Sequence, residues 1–223
     1  MTLKLTSKDY AALAVLLESY GGTIIATDLE PIYQKFPAPS AIRRQFYTSL
    51  SDGKYIFVDN SRVSDKNTLA WDIAHLIGHM FQWGTKRATA KALGLKYYGA
   101  KARHMAIRDF RGASDRILST VVEYEFEANC IAYGILLRLR KEKRTSAFAE
   151  EFRKFVEADL SFIVGYYYQE RRRRAADNAR SDPVLGPVLK RIGRTLRVVR
   201  APKPTEMQFG SYDILSVPVV HES

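Results

Sequence analysis

A chain of 223 residues, 46% of them hydrophobic, is long enough for one generous domain or a domain with a substantial appendage, and too apolar for general disorder. No apolar run reaches the roughly 18–20 residues of a membrane span, the start Met1-Thr2-Leu3-Lys4-Leu5 has no signal-peptide core, and the lone Cys130 excludes an internal disulfide framework, so the expected location is cytoplasmic. The net charge of +11 excludes a neutral surface, and its segregation suits either a polyanion partner or a solvated basic face.

Thr6-Ser7 reads as the N-cap of a first helix, Lys8 to Tyr20, with Tyr10, Leu13, Leu16, Leu17 and Tyr20 at helical spacing and Gly21-Gly22 at its end. Thr23-Ile24-Ile25 is expected as an apolar connector. Thr27-Asp28-Leu29-Glu30 has the form of a capping box for a second helix, with Pro31 in its first turn. Pro37-Ala38-Pro39 breaks that helix, and Ser40 can cap a third through Leu50. After the turn Ser51-Asp52-Gly53, the run Lys54 to Asp59 predicts a strand. Ser64-Asp65 then caps a helix over about 65–83. Up to residue 60, acids and bases balance at six each.

Residues 84–112 form a basic, Ala/Gly-rich segment; 84–111 carries eight basic residues against one acid. Ala113-Ser114-Asp115 starts a long helix to about Arg140, whose C-terminal cations suit the helix dipole. A further helix is predicted over Ala147 to Ala176, and a short basic one over Val188 to Leu196. Pro202 and Pro204 mark a linker, and Met207 to Val220 alternates well enough for one or two strands. Residues 171–203 carry eleven basic residues against two acids. The expected organisation is a domain over 1–140, with the basic insertion 84–112, and a helical basic extension over 141–223.

The stretch from Trp71 to Trp83 holds His75 and His79, four apart and therefore on one helix face. That is the spacing with which two imidazoles hold one zinc ion, and Glu125 on the separate long helix is a third donor of suitable type. The bland alternative is a pair of hydrogen-bonded core histidines. Gly78, directly before His79, is a small residue where another backbone or a ligand can approach closely.

Ala74-His75-Leu76-Ile77-Gly78-His79, together with Glu125-Phe126-Glu127-Ala128-Asn129-Cys130-Ile131-Ala132, resembles the ImmA/IrrE family of zinc metallopeptidases. That family carries an Ala-His-Glu-x-Gly-His helix and a later Glu-x-(Glu/Gln)-Ala-Asn helix. The likeness covers about residues 54–137. It implies an α+β, mostly helical fold with a zincin-type metallopeptidase core and a small antiparallel sheet. It also implies His75, His79 and Glu125 as zinc ligands, with Ala128 and Ala132 as small residues between tightly packed helices.

Two departures matter. Leu76 stands where the family has its general base, a group worth roughly 10²–10⁴ in rate. The basic segment after Gly84 also lengthens the span from His79 to Glu125. Asp72, three residues before His75, is the alternative base, although an orienting or solvent-facing role suits it better. Glu127 is expected to point away as a structural residue, Glu123 is open, Cys130 reads as core, and His104 and His221 read as incidental.

Tyr166-Tyr167-Tyr168 beside Arg171-Arg172-Arg173-Arg174, followed by Lys190, Arg191 and Arg194, forms a candidate polyanion surface. Aromatics stack on bases while guanidinium groups hold phosphate. The first expectation for function is an inactive metallopeptidase-like regulator that binds a protein partner, a transcription factor or stress regulator. The Tyr55–Val58 edge strand is its expected docking edge. The alternatives are an active zinc peptidase of atypical mechanism that cleaves a repressor, and a nucleic-acid-binding protein on a metallopeptidase scaffold. No membrane partner is expected.

Overall fold

The computed structural model describes residues 3–29, 49–51, 55–84, 114–143, 146–167 and 180–206. Helix α1 spans Ser7–Ser19 and is closed at both ends by local chemistry. Thr6 and Asp9 form a reciprocal capping box: the Thr6 amide donates to Asp9 Oδ2 at 2.8 Å, and the Asp9 amide donates to Thr6 Oγ1 at 3.4 Å. At the other end Gly21 takes φ +80°, and the Gly22 amide returns to the Leu17 carbonyl at 3.0 Å. That left-handed residue and its 6→1 bond make a Schellman stop, which a Cβ at Gly21 would strain.

The expected connector at Thr23 is instead strand β1, Thr23–Thr27. Its β-branched residues suit a pleated surface, but five residues give too little alternation to declare a strand. Strand β2 is Ser49–Ser51, so the last residues of the expected third helix are extended. Strand β3 is Tyr55–Asp59, as the sequence predicts. The sheet order is β1-β3-β2, with β1 parallel to β3 and β2 antiparallel to it. The small antiparallel sheet of the sequence reading is thus a mixed sheet. Pairing β1 parallel to β3 needs a long crossover, which residues 28–54 supply. β3 is also central rather than an edge: Ile56 pairs with Ile24 on one side and Ser51 on the other. Its backbone is committed, so strand addition at Tyr55–Val58 is not available. Ile56, Phe57 and Val58 are buried.

Asp59 closes β3 and turns the chain. Its Oδ1 accepts from the Ser61 amide at 2.9 Å and its Oδ2 from the Leu29 amide at 3.4 Å. Burial opposes the Asp59 charge, but bonds from the Ser61 hydroxyl and amide and from Leu29 keep its carboxyl below the usual range. A 3₁₀ turn, Asn60–Arg62, leads to helix α2, Lys66–Gly84. Asp65 caps it by accepting from the Thr68 amide at 3.3 Å.

Helix α3, Asp115–Arg140, starts from Ser114 and ends at Lys141 with φ 54°. Helix α4 is Ala147–Tyr167 and helix α5 is Gly186–Val198. Asp182 Oδ1 accepts from the Val184 and Leu185 amides at 2.8 and 2.9 Å just before α5. The α2–α3 pair forms the centre of the molecule, with α1 and the sheet against α2, and α4 and α5 against α3. One hydrophobic cluster runs from Leu13 and Leu17 through Ile73, Ile77, Val122 and Leu136 to Phe152, Leu160, Ile192 and Leu196. It therefore joins residues on both sides of residue 140. Among the described residues no helix is long and apolar enough to cross a membrane.

Close approach of α2 and α3 is set by one glycine. A Cβ at Gly78 would lie 2.6 Å from the Ala128 carbonyl oxygen and 3.1 Å from its Cα. Ala128, one of the small residues expected at this crossing, meets Gly78 through its backbone. The expected second helix, the basic segment 85–113, Arg171–Arg174, His104, His221 and the strands after Met207 lie outside the described residues.

Candidate metal centre

Helix periodicity brings His75 and His79 to the face of α2 that meets α3, and Glu125 comes from the facing turn of α3. The two Nε2 atoms are 2.9 Å apart, and Glu125 Oε2 lies 3.1 Å from that of His75 and 3.2 Å from that of His79. These three residues form a compact group of potential metal ligands. Zinc bound at about 2.0–2.1 Å sets tetrahedral donor atoms about 3.3 Å apart, so the observed triangle is close to a coordination face. His79 is only 1% exposed, whereas His75 and Glu125 are 15% and 22% exposed in their side chains. The group is sealed behind His79 and open on the side of the other two.

Each imidazole is held from behind by an amide. His79 Nδ1 lies 2.9 Å from Gln82 Oε1, and His75 Nδ1 lies 2.8 Å from Asn129 Oδ1. Gln82 Nε2 donates to the Tyr124 carbonyl at 2.8 Å and to Glu127 Oε2 at 3.0 Å. Asn129 Nδ2 donates to Asp159 Oδ2, from α4, at 2.8 Å. His79 also stacks on Tyr124, with ring centroids 4.6 Å apart, and Trp71 covers His75 at 5.6 Å.

Burial works against a charged Glu125. The positive charge of His79 and hydrogen bonds from both imidazoles outweigh it and hold the carboxyl well below the usual range. Those bonds require a proton on an Nε2, between atoms that otherwise meet as lone pairs. A divalent cation satisfies all three donors at once, so this donor set fits zinc. Asp159 behaves oppositely: burial raises its carboxyl, aided by the negative charges of Glu125 and Asp72 and countered by His75 and Asn129.

Leu76 is 1% exposed and belongs to the hydrophobic core. No proton acceptor occupies the position next to the first histidine. Asp72 is half-buried and outside the three-donor group, and its charge is felt by Asp159. Glu127 does not simply point away, since it accepts from the amide that orients His79. Glu123 pairs with Arg191 of α5. Cys130 is core, and burial pushes its thiol up to about 12. Lys190 and Arg194 are exposed on α5, while Arg191 is occupied by Glu123.

Sequence reasoning identified the three donors and missed the groups behind them. Gln82 lies three residues after His79 and Asn129 four after Glu125, spacings that place each pair on one helix face. Asp159 carries no local signal, because only the packing of α4 brings it in. No family model matches this chain, and no curated protein or solved structure does so.

Proposed function

We propose that this chain is a zinc-binding, metallopeptidase-like protein that holds a protein partner without cutting it. The observation carrying this reading is the pairing of three convergent donors with a core leucine at the general-base position. His75, His79 and Glu125 would hold the ion, which supplies Lewis acidity when bound. Peptide hydrolysis also needs a group that takes a proton from water and returns it to the leaving amine. Leu76 has no atom that can do this, and Asp72 lies outside the donor group. The exposed side of His75 and Glu125 leaves room for a ligand to approach.

The ImmA/IrrE-like motif supports a regulatory setting, in which the partner is a transcription factor or stress regulator. In that setting the zincin-type core serves recognition. The test uses zinc-loaded full-length chain incubated with its co-purifying protein and with unfolded casein. Both are expected to stay intact, and the partner to dissociate on chelation. Chelator-sensitive cleavage of either by pure protein overturns the reading in favour of an active peptidase.

A second reading, polyanion contact, is favoured by the exposed cations Lys190, Arg194 and Arg197 along one stretch of α5. It predicts DNA binding whose log affinity falls by roughly 0.9 per phosphate contact with log salt. Salt-insensitive or undetectable binding removes it.

A further inference from the structure

The amides behind the two histidines form a matched pair of relays. His79 Nδ1 meets Gln82 Oε1, and Gln82 passes its NH₂ to the Tyr124 carbonyl and Glu127. A backbone carbonyl only accepts hydrogen bonds, so the NH₂ end of Gln82 is fixed there and its oxygen must face the imidazole. An amide oxygen also only accepts, which requires the proton of His79 on Nδ1. His75 meets Asn129 Oδ1 in the same way, and the Asn129 NH₂ is directed at the Asp159 carboxyl, which accepts it when ionised. Gln82 and Asn129 are both fully buried, so losing one of these bonds leaves polar groups without water as a substitute.

We infer that Gln82 and Asn129 are positioning residues that hold a proton on Nδ1 of both imidazoles, so that both Nε2 atoms are turned to the space shared with Glu125 where a metal would sit. Asp159 on α4 extends this shell beyond residue 140, and Glu127 on α3 backs Gln82. The inference deepens the metal reading above and rests on it for its effect on affinity. On the Nδ1 side amides rather than carboxylates touch the rings, so the Glu127 and Asp159 carboxyls stand one residue further back. Groups in this position typically change metal affinity 10- to 100-fold.

The test has two parts. Long-range ¹H–¹⁵N spectra of histidine-labelled, zinc-loaded full chain are expected to place the proton on Nδ1 of both His75 and His79 and to leave both Nε2 atoms unprotonated. Zinc affinity by chelator competition is then compared across variants. Gln82→Met and Asn129→Leu are each expected to lose about 10- to 100-fold. The volume-preserving exchange Asn129→Asp with Asp159→Asn restores an acceptor toward His75 and a donor behind it. It is expected to bind within a few-fold of the parent, whereas Asn129→Asp alone sets two carboxylates together and binds weakly. Zinc-loaded parent rings protonated on Nε2, or folded Gln82→Met and Asn129→Leu variants with unchanged zinc affinity, overturn the inference. The parent spectrum needs no variant, so a variant that fails to fold does not remove the test. A folded parent that binds no zinc overturns the metal reading, and a metal-free spectrum that still shows a proton on both Nδ1 atoms upholds the positioning by Gln82 and Asn129.

Discussion

Leu76 is enclosed by the core of α2, where Ile73, Ile77 and Met80 are also buried. A leucine at this point strengthens packing and offers no proton acceptor beside His75. Replacing it with glutamate tests that view. Leu76→Glu places an unpaired carboxylate in an apolar site and is expected to cost about 3 kcal/mol of stability in a denaturant titration. Leu76→Met, which nearly keeps the volume, is expected to cost less than about 1.5 kcal/mol. Equal stability of Leu76→Glu and the parent would mean that this position faces the donor group rather than the core. Leu76 was legible by its place in the motif. Its burial was not, because a position flanking a histidine on a helix can face either core or cleft until the neighbouring helix is placed.

At the scale of elements, the metal centre depends on how closely α2 and α3 approach. Gly78 against the Ala128 backbone fixes that approach, with Glu125 one turn earlier on α3. Gly78→Ala gains helix propensity of about 1 kcal/mol. The added methyl must nevertheless push against a carbonyl 2.6 Å away, so a net loss of about 2 kcal/mol is expected, together with weaker metal binding. Thermal unfolding with and without zinc checks both. The helices that carry the site were legible because their ends are local: the Thr6–Asp9 box, the Asp65 cap and the Gly21 stop each lie within a few residues. The sheet was not. β1 is five residues long, and its parallel partner lies beyond a connection of over twenty residues, so neither pairing nor the central place of β3 has a short-range signal.

Across the whole molecule, α4 is bound into the site as well as the core. Trp71 of α2 meets Phe152 and Phe155 of α4 at 5.6 and 4.6 Å, and Asp159 lies within the polar shell behind His75. The hydrophobic cluster runs across residue 140, joining α3 to α4 and α5. A metal held by His75, His79 and Glu125 would join α2 to α3 and stabilise the folded state by mass action. Free zinc at about 100 times its dissociation constant adds about 2.7 kcal/mol. The most direct test is the metal content of the purified full-length chain, measured beside His75→Ala after equilibration with zinc and removal of free ion. One zinc per parent chain and none in His75→Ala is the predicted result; a folded parent that retains no metal would contradict the account.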